Sequence, residues 1–192
     1  MKNRNLSLEG LKEIQAIVPE AFVMFGTTLG VVRDGGLMEH DGDVDVGILL
    51  EDWDDRYLSA FANAGFSINR RVYWEDPRVM QYMPPQVLGK LTKVQMTYQT
   101  KEQRFCFNIL ATGSNGERYH YEGQKYGLFH CPADFVEQTC EMPVYDTVVN
   151  VPADTEAFLA YCYGAGWRVP QKEYYWTPEH MENRARFIIE IK

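Results

Sequence analysis

A chain of 192 residues with 45% apolar positions is long enough to bury one sizeable core and reads as a single domain over 1–192, with a C-terminal helical part from about residue 152. Its formal net charge of −8 and isoelectric point near 5.0 argue against a nucleic-acid partner, because phosphate binders present a basic face. No apolar run reaches the roughly eighteen residues of a membrane span, the opening M-K-N-R-N-L-S lacks the apolar stretch of a leader, and Cys106, Cys131, Cys140 and Cys162 show no C-x-x-C spacing, so the expected compartment is the cytoplasm, with free thiols.

Leu8, Leu11, Ile14, Ile17 and Val18 recur at helical spacing after Ser7 and predict an amphipathic N-terminal helix. The apolar run Ala21 to Met24 then leads into F-G-T-T-L-G-V-V-R, read as a strand over 22–25, a tight turn and a helix start. Gly26 permits close backbone approach there, and Thr27 or Thr28 is expected to cap the helix, leaving N–H groups for an anion. Arg33, seven residues on, either reaches a phosphate or pairs with Asp34 or Glu39.

The most informative segment follows: H-D-G-D-V-D-V-G-I-L-L, with Asp41, Asp43 and Asp45 at every second position. In an extended chain these carboxylates share one face while Val44, Val46 and Ile48 take the other. Two unit charges about 4 Å apart at an effective dielectric near 20 repel by about 4 kcal/mol, so such a row calls for a cation, and oxygen-only ligands favour Mg²⁺, Mn²⁺ or Ca²⁺ over zinc. A solvated acidic strand end is the bland alternative. A calcium loop does not fit, because its sixth position is Val46 rather than glycine and its twelfth is Asp52 rather than glutamate. An anion cradle a few residues before a carboxylate row is the layout of metal-assisted phosphoryl or nucleotidyl transfer.

Downstream, Tyr57 to Ala62 predicts a helix stopping at Gly65, 66–74 a strand, and the proline-rich 75–89 a loop. Val94, Met96 and Tyr98, then Phe105, Phe107 and Ile109, alternate as a hairpin, with Asn108 on the face opposite Phe107 and Ile109. Lys90 and Lys93 flank the presumed site and either hold a second phosphate or stay solvated. The stretch 113–127 reads as a loop with one edge strand. His130, Cys131 and Cys140 lack zinc-finger spacing. Helices are expected over 152–163 and 178–191, and the aromatics Tyr174, Tyr175 and Trp176 beside Glu173 either pack the core or cage a quaternary ammonium. The sum is an α+β sheet covered by helices on one side.

The segment G-T-T-L-G-V-V-R-D-G-G-L-M-E-H-D-G-D-V-D-V-G, 26–47, resembles the signature of the LicD/fukutin family, G-T-L-L-G-x-x-R followed by D-D-D-[IV]-D-[IV]-G. V-N-V-P-A-D-T-E-A-F-L-A-Y-C-Y-G-A-G-W-R-V-P, 149–170, is similar to that family's later motif P-x-D-x-x-x-[YF]-L-x-x-x-Y-G-x-x-W-x-x-P. The resemblance implies a nucleotidyltransferase-like α+β fold and transfer of a phospho-substituent, phosphocholine or a polyol phosphate, from a CDP-activated donor to a glycan or other hydroxyl. The chain departs from it in three places. His40 replaces an aromatic residue, Gly42 replaces an aspartate, and Asn108 in F-C-F-N-I-L stands where a third metal carboxylate is expected.

The reading is therefore a transferase in which Asp43 and Asp45, with Asn108, hold Mg²⁺ or Mn²⁺. Asp41 ligates or acts as base toward the acceptor hydroxyl, and Gly26, Thr27 and Thr28 cradle phosphate. Two alternatives stand beside it: transfer of the nucleotidyl group itself, and a degenerate member that binds nucleotide or metal without turnover.

Overall fold

The computed structural model describes residues 4–38, 41–123 and 127–170. The first helix, α1 (Arg4–Ile17), begins one turn earlier than its pattern suggests, so that Ser7 lies inside it, buried with Gly10, Leu11 and Ile14. Gly10 is there for contact: a Cβ on it would stand 2.4 Å from the Phe105 ring. A two-residue strand β1 (Phe22–Val23) runs into α2 (Phe25–Asp34), and β2 (Asp43–Leu49) carries the aspartate row. Helix α3 (Arg56–Asn63) ends before Gly65, whose φ of +95° is glycine territory.

Next come β3 (Phe66–Tyr73), the short α4 (Pro77–Met80), and the predicted hairpin of β4 (Leu91–Tyr98) and β5 (Arg104–Thr112). Strands β6 (Arg118–Tyr121) and β7 (Leu128–Cys131), the hairpin β8 (Thr139–Val144) with β9 (Thr147–Pro152), and α5 (Thr155–Tyr163) complete the described chain. The residues read as a helix from 152 thus begin as the end of β9, and α5 starts after Asp154, whose side chain accepts from Ala157 N.

The main sheet has the order β1-β2-β5-β4-β3, with β6 added to β5 and β7 to β6; β8 and β9 form a sheet of two. Only β2 and β5 run parallel, and every other pairing is antiparallel. The 113–127 segment is therefore more than loop and edge, because β6 lies between β5 and β7.

Alternation along the strands sorts the two faces. Val44, Val46, Ile48, Val94, Met96, Phe105, Phe107 and Ile109 join Leu11, Ile14 and Phe61 in one buried cluster beneath α1 and α3. The opposite face is not bare, as one-sided covering would have it. At its far end Leu110 packs with Met24, Phe25 and Leu29 of the α2 region and Phe158 and Leu159 of α5. Between that second cluster and the open end of the sheet a polar patch remains.

Candidate functional site

Cross-strand partners share a face, so the register lays out the polar patch row by row. Asp43 is level with Arg104 and Thr97; Asp45 with Cys106, Gln95 and Arg70; Gly47 with Asn108, Lys93 and Val72. Asp43, Asp45 and Gln95 are half-buried, Arg104 and Arg70 exposed, and Cys106, Asn108 and Lys93 buried. The strand alternation places the two carboxylates as the sequence predicts, with Asn108 on their face.

Burial raises the Asp45 carboxyl well above the usual carboxylate range, and the charge of Asp43 adds to that, while Lys93 opposes it. The Asp45 backbone N donates to Thr27 Oγ1 at 2.9 Å, and its Oδ1 accepts from Asn108 Nδ2 at 3.4 Å. Cys106 Sγ donates to Asp43 Oδ2 at 3.5 Å, and burial pushes that thiol far up, so it stays neutral. Asn108 Oδ1 is buried with no hydrogen-bond partner.

Two mutually repelling carboxylates on one face, with the Asn108 amide bonded to the second and its carbonyl oxygen without a partner, supply oxygen donors of the kind that suit a hard divalent cation such as Mg²⁺ or Mn²⁺. Among the described residues no three His, Cys, Asp or Glu side chains gather closely enough to hold a metal. A third oxygen for such a set would come from a neutral group, and the Asn108 amide beside Asp45 could supply it.

Two residues at this site escape sequence reasoning. Glu122, just past β6, pairs with Lys93 through Oε2 and lies 3.0 Å from His120 Nε2 through Oε1; His120 Nδ1 is 3.1 Å from Thr92 O. Burial alone would raise Glu122 and lower Lys93. Their mutual attraction overrides it, holding the carboxyl well below and the ammonium well above their ordinary values. Burial holds His120 below its own. No spacing rule links 93, 120 and 122; only the pairing of β6 with β5 brings them together.

Other candidates stand differently. Neither Thr27 nor Thr28 caps α2: Met24 is the N-cap and no side chain bonds there. Both hydroxyls tie the helix to the strands instead, Thr27 through Asp45 N and Thr28 by donating to Val23 O at 2.7 Å. Gly26 is half-exposed, and a Cβ on it would come within 2.7 Å of Asp41 Oδ2. The anion facing the first turn of α2 is thus the chain's own Asp41, a favourable place for negative charge at a helix start.

Arg33 is held bidentately by Asp34, at 2.8 and 2.7 Å, the pairing foreseen as its bland alternative. Lys90 is exposed just before β4, beyond Lys93 in the direction away from Asp43, and does not join the site. Lys93 joins it as a buried ion-pair partner rather than a solvent-facing phosphate ligand. His40, Glu173 and the cluster Tyr174, Tyr175 and Trp176 lie outside the described residues, as does the helix expected over 178–191. His130 is held by Glu117 at 2.7 Å.

A mixed α+β sheet that carries paired aspartates at the start of a strand, next to a strand-to-helix corner, is the framework of nucleotidyltransferase-like domains. The family model described as "LicD/FKTN/FKRP, nucleotidyltransferase domain" matches residues 19–154, and the chain belongs to that family. The Mus musculus protein named ribitol-5-phosphate transferase FKTN is 27% identical over 153 residues, covering 79% of this chain and 30% of its own length. The Homo sapiens protein of the same name is 26% identical over the same share of each chain. The chain thus spans about 30% of the length of the curated relatives it matches. Among solved structures, the lincomycin-bound lincosamide antibiotic adenylyltransferase LnuA is similar with a TM-score of 0.46 and 12% identity, covering 77% of this chain and 81% of that one.

Proposed function

We propose that this domain transfers a phospho-substituent, a polyol phosphate or phosphocholine, from a CDP-activated donor to a hydroxyl of a glycan or similar acceptor. The observation that carries the proposal is the Asp43–Asp45 pair on the polar face, with Asn108 on the same face bonded to Asp45, in a chain whose family includes proteins named as ribitol-5-phosphate transferases. Asp43, Asp45 and Asn108 would hold Mg²⁺ or Mn²⁺. Such an ion, when bound, screens the donor's phosphate charge and orients it.

The chain's own residues do the rest. Thr27 and Thr28 lock the start of α2 against β1 and β2, fixing the carboxylates in place. Asp41, beside the N-terminus of α2, is the group to accept a proton from the attacking hydroxyl. Within the Lys93–Glu122–His120 network, Lys93 favours the ionised Asp45 carboxylate that binding needs, while Glu122 opposes it.

A family member that binds nucleotide or metal without turnover is the second reading, favoured by Asn108 in place of the expected carboxylate. A thermal-shift screen of CDP-ribitol, CDP-glycerol, CDP-choline and plain nucleoside triphosphates, each with and without Mn²⁺, identifies the donor, because ligands of the native state raise stability by mass action. Release of CMP from the stabilising donor, with an acceptor present, supports transfer. Stabilisation by Mn²⁺ and CDP-donors with no CMP release supports the second reading. Stabilisation by nucleoside triphosphates alone moves the function to nucleotidyl transfer.

A further inference from the structure

Arg33, Arg56, Arg78, Arg118 and Arg168 each engage a carboxylate. Arg70, Arg71 and Arg104 engage none among the described residues, in a chain with 27 acidic against 19 basic side chains. Two of those three stand on the polar face. Arg104 is level with Asp43, and Arg70 closes the row of Asp45, Cys106 and Gln95; Arg71, level with Val94, faces the other way.

Arg104 is anchored over the aspartate loop: its Nε donates to Gly42 O at 3.2 Å. Gly42 makes the room for this, since a Cβ on it would meet Arg104 Nη2 at 2.7 Å. The glycine that thins the acidic row is therefore the residue that lets a guanidinium lie over the backbone that joins Asp41 to Asp43. Neither carboxylate takes it up as an ion pair. Arg104 is exposed, level with Asp43, and a guanidinium so placed offers the planar donor fork that suits two phosphate oxygens. On the opposite flank, the Arg70 guanidinium lies against Gly123, where a Cβ would be 2.7 Å from Nη2.

We infer that Arg104 is the phosphate-binding guanidinium of this site, taking the pyrophosphate of a nucleoside diphosphate, and that Arg70 extends the same anion-binding strip toward the sheet edge. The role foreseen for Arg33 passes to Arg104, because Asp34 already occupies Arg33. The inference rests on the reading of a nucleoside-diphosphate donor.

The test is calorimetric titration of the full chain with CDP and with CMP in Mg²⁺, for wild type, Arg104→Met, Arg104→Lys and the opposite-face control Arg71→Met. Arg104→Met weakens CDP about tenfold or more while changing CMP by less than about threefold, and Arg104→Lys keeps part of the binding, since a point charge replaces a fork. Arg71→Met binds CDP as wild type does. Gly42→Asp, which sets a carboxylate against the guanidinium, weakens CDP as Arg104→Met does. An Arg104→Met affinity for CDP within about twofold of wild type, with Asp45→Asn still abolishing binding, overturns the inference and leaves the donor reading standing. A wild-type protein that binds neither CDP nor CMP overturns both. Equal losses in Arg104→Met and Arg71→Met reduce the effect to general charge and overturn the inference.

Discussion

Replacing Glu122 by glutamine removes one charge from a buried pair and leaves the other in place. The Lys93 side chain is 5% and the Glu122 side chain 15% exposed, so water reaches neither freely. In Glu122→Gln the Lys93 ammonium stays buried without its counter-charge. Breaking a buried pair from one side costs about 3–5 kcal/mol, and about 2–4 °C of melting temperature accompanies each kcal/mol in a domain of this size, so the variant melts on the order of 6–20 °C lower. The double variant Lys93→Met/Glu122→Leu recovers a large part of this, because a neutral pair has no uncompensated charge.

The pH dependence of the wild type follows from the two directions. Glu122 is depressed below its ordinary 4.5, so its contribution is present above about that pH and is lost as pH falls toward its folded value. Lys93 is raised above its ordinary 10.5, so its contribution is present below that pH and lost as pH rises further. Urea unfolding in EDTA at pH 7 and about pH 3 measures the Glu122 effect, and at pH 7 and about pH 11.5 the Lys93 effect. A Glu122→Gln variant that melts within about 2 °C of wild type at pH 7 refutes the reasoning.

Asp43→Asn and Asp45→Asn each lower turnover by at least about 10²-fold with the fold intact, measured as CMP release from the donor identified in the screen. Asp45 is raised above its ordinary 3.8, so in metal-free protein its ionisation costs stability as pH rises; Asp45→Asn therefore melts higher than wild type at pH 7 in EDTA, and Mn²⁺ reverses the order. Asn108→Asp tightens Mn²⁺ by adding a charged oxygen and Asn108→Ala weakens it, both read by calorimetry; no change in either removes Asn108 from the donor set. Gly26→Ala drives a Cβ against Asp41 Oδ2 and lowers turnover with little change in melting temperature, whereas unchanged turnover detaches Asp41 from the chemistry. Tyr145→Phe deletes the hydrogen bond from Leu37 N to Tyr145 Oη, 3.1 Å, that pins the loop after α2; it costs about 0.5–1.5 kcal/mol by denaturant titration.

What the sequence alone determined is what is local. Strand alternation set Asp43, Asp45 and Asn108 on one face and Val44, Val46, Ile48, Phe107 and Ile109 on the other, because a period of two is a property of the extended backbone itself. Apolar periodicity located α1 and α3 for the same reason, and the paired motifs of 26–47 and 149–170 carried the family resemblance. Tertiary structure decided everything that depends on which strands become neighbours. The pairing of β6 with β5 brought Glu122 and His120 to Lys93. The parallel register of β2 and β5 set Arg104 beside Asp43. The locking of α2 onto the strands turned Thr27 and Thr28 from expected caps into ties. A buried charge or an anchored guanidinium is defined by the partners and the solvent left around it, and those are fixed by contacts between residues tens of positions apart that no local pattern encodes.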